Sequence, residues 1–175
     1  MQIDGIRRWL RYCGESFGCT QVHPYRWPDP STKPEVPYMT FVIRRAETDP
    51  KYACRGGIVN EEVEEGLYDV KVTGAKQYQI ELEVHLYNSP SGVADLAACD
   101  IGANRDQEIK NIFQANNLGY QGLSSIEDRT DYDDAEIHYH QVMVVRLNTV
   151  FQYEHVIKNH KVDDVTGIRD AIVVE

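Results

Sequence analysis

The stretch "QYQIELEVHLY", residues 77 to 87, alternates without a break: Tyr78, Ile80, Leu82, Val84 and Leu86 fall on one side of an extended chain, and Gln79, Glu81, Glu83, His85 and Tyr87 on the other. A period of two sustained over this length predicts a strand, since a helix would scatter the same apolar residues round its axis. One face is core, and the other is wet or an interface.

Upstream, "YMTFVIRRAE" from Tyr38 is a second strand that follows Pro37, a residue suited to the first position of a strand. Between the two strands, residues 49–74 hold a Gly-Gly pair, the acidic run "NEEVEEG" and a short β-like "LYDVKV", which predicts a long excursion shaped as a hairpin arm. Before Tyr38, "HPYRWPDPSTKPEVP" has five prolines in fifteen residues, too many for a helix or a central strand, so it reads as an extended loop. At the N-terminus Ile3, Ile6, Trp9, Leu10 and Cys13 recur with a helical period, with Arg7, Arg8 and Arg11 opposite. That is a surface helix with one stripe turned inward.

Downstream, "NSPSG" breaks the strand, and Val93, Leu96, Ala97, Ile101, Ile109, Ile112 and Phe113 predict helix, either continuous with a weak point at Gly102 or split in two, and stopped by Asn117 and Gly119. "GLSSIEDRTD" is a short strand or edge segment. Residues 136–153 read as one long strand with Ile137, Tyr139, Met143, Val145, Leu147 and Phe151 on one face, and His138, His140, Val142, Val144, Arg146 and Val150 on the other. The second face is too apolar at its centre for open solvent, which implies a further layer or a further subunit. These elements predict an α+β fold: a mainly antiparallel sheet flanked by two helices, with the 49–74 arm and an extended tail. Residues 1–155 are expected to form the domain, and 156–175 a tail that acts as an edge strand or reaches a neighbouring subunit.

The chain of 175 residues is long enough to bury a core without metal or disulfide staples. A formal net charge of −10 argues against wrapping nucleic acid, which requires clustered Lys and Arg. Cys13, Cys19, Cys54 and Cys99 show neither CxxC pairs nor a dense secreted framework, and read as reduced thiols made in a cytosol. The amphipathic N-terminus lacks the apolar core of a signal peptide, and no stretch approaches the ~20 apolar residues of a spanning helix. A soluble protein with no membrane partner is expected.

Several patterns invite a catalytic reading. In "DYDDAEIHYHQVMVVRL", residues 131–147, His138 and His140 lie two apart on the expected strand and so point the same way, with Asp133, Asp134, Glu136 or His85 as third-ligand candidates for a metal-dependent hydrolase. No spacing ties any of these to the pair, and a solvated turn leading into an exposed or interfacial strand accounts for the same residues. Cys13, Cys19 and His23 match no common zinc spacing, and Cys13 already belongs to the helix stripe, so buried thiols are expected. Neither Gly-x-Ser-x-Gly nor a phosphate-binding Gly-x-x-x-x-Gly-Lys-Ser/Thr occurs. No enzymatic role, cofactor or resident metal is expected. Arg44 and Arg45 read as surface charge or subunit salt bridges. Glu61, Glu62, Glu64 and Glu65, around Val63, read as a solvated loop or, in several copies round a channel, as a ring that repels passing DNA.

The order of segments resembles the tail terminator, or neck terminator, proteins of long-tailed bacteriophages. The resemblance rests on the proline-rich approach "PEVPYMTFVIRRAE", the strand "QYQIELEVHLYNS" leading into a helix, and the block "NLGYQGLSSIEDRTDYDDAEIHYHQVMVVRLNTVFQYEHV", and covers residues 34–155. It implies a structural virion protein without catalytic residues, assembled in the host cytoplasm. Such a protein forms a homo-oligomeric, hexameric ring that stops the tail tube and joins it to the head-proximal neck or connector proteins. The implied partners are further copies of the chain, the tail tube protein, the neck/connector proteins and a sheath terminal ring, with DNA passing the lumen without specific binding. Glu61, Glu62, Glu64, Glu65, Arg44, Arg45, His138 and His140 are then lumen or subunit-interface candidates. The alternatives are another neck or head-completion ring protein, or the hydrolase using His138 and His140.

Overall fold

The computed structural model describes residues 2–25, 32, 34, 36–48, 55–64, 67–133 and 136–161. In chain order these are α1 (Gln2–Glu15), β1 (Gln21–Pro24), β2 (Tyr38–Thr48), β3 (Arg55–Glu64), β4 (Leu67–Tyr87), α2 (Gly92–Arg105), α3 (Gln107–Ala115), β5 (Leu118–Asp128), β6 (Asp131–Asp133), β7 (Glu136–His138) and β8 (His140–Lys161). The fold is α+β. Two compact units are formed, Met1–Thr48 with Tyr78–Thr149, and Asp49–Gln77 with Val150–Glu175.

In the first unit the strands lie in the order β1-β2-β4-β8-β5. β1 runs parallel to β2, whereas β2 is antiparallel to β4 and β5 to β8. Register places Met39 beside Leu86, Phe41 beside Val84 and Ile43 beside Leu82, so the alternation in "QYQIELEVHLY" meets a matching apolar row on β2. That row and Met143, Val145 and Leu147 of β8 pack against the helices, with Ile6, Trp9 and Leu10 from α1, Leu96 and Cys99 from α2, and Ile109 and Phe113 from α3. Trp9 closes edge-on against Phe113 (5.3 Å between centroids) and Tyr120 (5.9 Å), an arrangement that suits the ring quadrupoles.

Among the described residues there are three helices, the second helical stretch being split in two, one of the two expected alternatives, with the break at Asp106. Asp106 is extended (φ −75°, ψ 126°), and its carboxylate accepts from the Glu108 backbone N–H, capping α3 while its own N–H closes α2 on the Gly102 carbonyl. Asn117 (φ 53°) supports the expected stop, but Gly119 lies inside β5, paired with Asn148. The loop expected from His23 onward begins with two strand residues: β1 is a short edge strand ending at Pro24, where the missing N–H faces no ladder partner it must satisfy. Residues 26–31, 33 and 35 of that loop lie outside the described residues.

The expected strand over 136–153 divides. β7 pairs with β6 in a separate two-stranded ribbon, Tyr139 belongs to neither strand, and β8 begins at His140. The division follows from where the Tyr139 carbonyl goes: it accepts the N–H of Asn88 (3.0 Å), a residue with φ 59° in the turn after β4. β5 is an edge strand in this sheet and carries two irregularities, between Tyr120 and Gly122 and between Leu123 and Ser125, with Gly122 at φ 137°.

In the second unit β3 pairs antiparallel with the N-terminal part of β4, from Arg55↔Ala75 to Glu64↔Leu67, so the expected excursion is a β-hairpin over its described residues. "LYDVKV" and "QYQIELEVHLY" are one strand of 21 residues, not two. β8 extends to Lys161, and the remainder of the expected tail, 162–175, lies outside the described residues. Among the described residues no helix is long and apolar enough to cross a membrane.

Candidate functional site

The face of β4 turned away from the helices holds Glu83, His85 and Tyr87, and it is neither wet nor apolar. Register sets Thr40 beside His85 and Tyr38 beside Tyr87, while Glu83 and Thr40 are buried. Such a polar face is stable only if every buried polar group finds a partner.

Glu83 is the hub. Arg44 grips its carboxylate with two hydrogen bonds, Nε to Oε2 (2.5 Å) and Nη2 to Oε1 (3.0 Å). The register shift between Ile43 and Arg45 makes this possible, because it leaves Arg44 without a cross-strand partner and free to turn to Glu83. Arg129 approaches the same Oε1 at 4.0 Å, and the Nε2 of His85 lies 2.9 Å from it. The hydrogen bonds from Arg44 hold the Glu83 carboxyl below the usual carboxylate range against the opposing effect of burial.

An ionised Glu83 fixes the rest of the chain of hydrogen bonds. It accepts from His85 Nε2–H, so in neutral His85 the other nitrogen, Nδ1, is an acceptor. That nitrogen lies 3.0 Å from Nε2 of His140, which must then donate. The two ring centroids are 5.3 Å apart, about the contact distance plus one ring radius at each end, and the rings are within 16° of parallel. The nitrogens therefore meet head-on along their lone-pair axes. A proton fits between them, whereas a metal would need about 2 Å to each nitrogen. Burial pushes both imidazoles below their ordinary value, although Glu83 works in the opposite direction on each; Arg129 and, for His140, the neighbouring His85 add to the lowering. Tyr87 stacks on His140 (4.5 Å) and on Tyr38 (4.8 Å), closing the row with flat rings.

The remaining expected site residues are dispersed. His138 is exposed on β7, so it does not share a strand with His140 and the expected pair of parallel ligands is not formed. Among the described residues no group of three or more His, Cys, Asp and Glu is arranged to hold a metal. Asp133 and Glu136 are exposed on the ribbon, and Asp134 lies outside the described residues. Arg45 pairs with Glu47 on its own strand. Glu61, Glu62 and Glu64 lie on β3 of the hairpin, opposite Asp69, Tyr68 and Leu67, and Glu65 lies outside the described residues. Cys19 and Cys99 are buried thiols pushed upward, Cys19 to about 12 by burial and Cys99 chiefly by its hydrogen bond with Cys13, and Cys54 lies outside the described residues. Of the expected residues, Arg44, His85 and His140 enter the network. Glu83, Tyr87, Tyr38 and Arg129 were not singled out from the sequence, although Glu-x-His-x-Tyr on one strand face was the available signal.

Two further surface features stand out. The β6–β7 ribbon exposes Tyr132 (73%) and Ile137 (49%), which are paired in register and so share a face, while Asp131↔His138 and Asp133↔Glu136 lie on the other. α2 buries Leu96, Cys99 and Ala103 yet also exposes Val93 (45%) and Ile101 (55%), making it apolar on both sides.

The described residues thus present a sheet backed by helices, a buried polar network and two exposed apolar features. Comparison with known families gives these a context: the family model of the phage neck terminator protein matches residues 3–173. The chain belongs to this family, and it is a structural component of the bacteriophage virion. A search of curated proteins found no match.

Proposed function

We propose that this protein ends the tail tube as a homohexameric ring and joins it to the head-proximal neck or connector proteins, leaving a lumen through which DNA passes without specific binding. The observation that carries the reading is membership of the neck terminator family over residues 3–173. The formal charge of −10 supports a lumen that repels DNA, and the acidic strand β3, with Glu61, Glu62 and Glu64, is the segment we assign to it, together with Glu65. Arg45 and His138, both exposed, are assigned to contacts between subunits, and Arg44 and His140 to the strand faces that shape them. Assembly takes place in the host cytoplasm, on a tail tube and, in a contractile tail, beside a sheath terminal ring.

Native mass spectrometry of the purified protein, followed by electron microscopy after mixing with tail tubes, tests this. A metal-free six-subunit species that sits at tube ends is the expected result. A metal-bound monomer or dimer that ignores tube ends would overturn it.

A further inference from the structure

The function proposed above uses none of the cysteines, yet Cys13, Cys19 and Cys99 gather in one packed cluster. The helical stripe that buries Ile6, Trp9 and Leu10 on α1 ends in Cys13, and α2 turns Cys99 inward with Leu96 and Ala103. Where the two helices meet, the thiols of Cys13 and Cys99 share a hydrogen bond. That contact brings the two sulfurs as close as a disulfide between helices requires before it forms.

The two thiols differ in access. Cys99 is 1% exposed, whereas Cys13 is half-buried and lines a cavity of about 510 Å³ with Tyr12, Ser16, Ala98, Gly102 and Ile109. A small reagent therefore reaches Cys13 first and Cys99 only through it. Burial and the shared hydrogen bond keep Cys99 protonated, which suits a group that reacts second, once an electrophilic sulfur stands beside it. Cys19 is a poorer partner: it is fully buried, and its thiol is directed to the Gln21 carbonyl (3.8 Å).

We propose that Cys13 and Cys99 form an oxidative modification site, at which a hydroperoxide entering the cavity oxidises Cys13 and Cys99 then closes a disulfide tying α1 to α2. In the first step the Cys13 sulfur attacks a peroxide oxygen and the O–O bond breaks. Cys13 becomes a sulfenic acid, and the departing oxygen takes up the thiol proton as water. In the second step the Cys99 sulfur displaces hydroxide from Cys13, and the hydroxide leaves as water with the Cys99 proton. Two thiols have then lost two hydrogens, and one hydrogen peroxide has become two waters. The bond closes a loop from residue 13 to residue 99, so it restricts the unfolded chain over a long span. A virion component made in a reducing cell meets oxidising surroundings on release, which is when such a link is of use.

The test uses the full-length chain, purified in reductant, freed of it and exposed to hydrogen peroxide. Remaining thiols are alkylated in denaturant, and the unreduced peptides are mapped by mass spectrometry. A link between the Cys13 and Cys99 peptides is expected, in a chain that still runs as a single copy on a non-reducing gel and with Cys19 still alkylated. The melting temperature should rise by roughly 5 °C or more, and dithiothreitol should reverse the rise. Cys99→Ala leaves Cys13 in its cavity without a resolving thiol, so dimedone should capture a Cys13 sulfenic acid at about tenfold the wild-type level. The proposal is overturned if Cys13 and Cys99 both remain alkylated after oxidation, or if they link only in urea. It is equally overturned if Cys13 passes to sulfinic acid while Cys99 stays free, or if Cys13 links to Cys19 or Cys54. The wild-type map decides the matter even where Cys99→Ala fails to fold, and the ring stands or falls separately.

Discussion

The two faces of β4 are withdrawn from solvent by opposite means, one fully and the other in large part. On one, Leu82, Val84 and Leu86 are sealed by helices and need only fill space. On the other, Glu83, His85 and Tyr87 lie among Arg44, Arg129, His140 and Tyr38, where each group is tolerable only because a particular neighbour answers it. The apolar face supplies stability that depends on volume and little on solution conditions. The polar face supplies register, since the Arg44 that grips Glu83 is delivered by a bulge on β2. A one-residue slip would take this two-pronged partner from a buried carboxylate.

Four predictions sharpen this contrast. The largest effect should come from the apolar face: Leu82→Ala, at a site with no exposure, is expected to cost about 3 kcal/mol in urea unfolding, from lost transfer energy and a residual cavity. A cost near zero would mean that face is loosely packed. Next, Glu83→Gln should cost about 1–2 kcal/mol, discounted because Arg44 is more than half exposed. Here a double-mutant cycle with Arg44→Met should show coupling, whereas Leu82→Ala and Arg44→Met should simply add.

The third prediction concerns pH. Both His85 and His140 titrate below their ordinary value of 6.5 in the folded protein, so below that pH the unfolded chain binds more protons than the folded one. Stability should therefore be fully present above about pH 6.5 and fall as the solution is acidified. Glu83, held below its ordinary value, adds to the loss at still lower pH. Chemical unfolding at pH 7.5 and 5.5 measures this, and His140→Gln should flatten the difference. Stability that rises on acidification would show that the pair shares a proton differently. The smallest effect is expected for His138→Ala, an exposed ribbon residue, at under about 0.5 kcal/mol. Urea unfolding of this variant beside His140→Gln separates the exposed ribbon histidine from the one inside the network.

How far these features were legible in the sequence depends on the range of the interaction. Period-two alternation in residues 77–87 and the stripe Ile6, Trp9, Leu10 disclosed a strand and a helix, because both record a local choice of inside and outside. The hairpin arm and the edge character of β5 were readable for the same reason. The break at Asp106 needed the Asx cap to be preferred over the glycine as a weak point, and β1 was too short to show a period. The division at Tyr139 was not readable, since its carbonyl is claimed by Asn88 from another part of the chain. The network was half visible. The sequence offered His140 and His85 as possible ligands, but only tertiary placement shows that they face each other through a proton. Arg44 looked like surface charge because a bulge leaves no mark in composition.

The strands at the two ends of the β1-β2-β4-β8-β5 order bear on where growth halts. β1 is four residues long and finishes in proline, and β5 is interrupted twice within eleven residues. Neither offers an unbroken row of amides and carbonyls on which another strand could continue the ladder. Bounded in this way, the β1-β2-β4-β8-β5 row is a poor template for its own fibre: copies can meet through side chains at chosen places, but that row is a sentence with a full stop at each end.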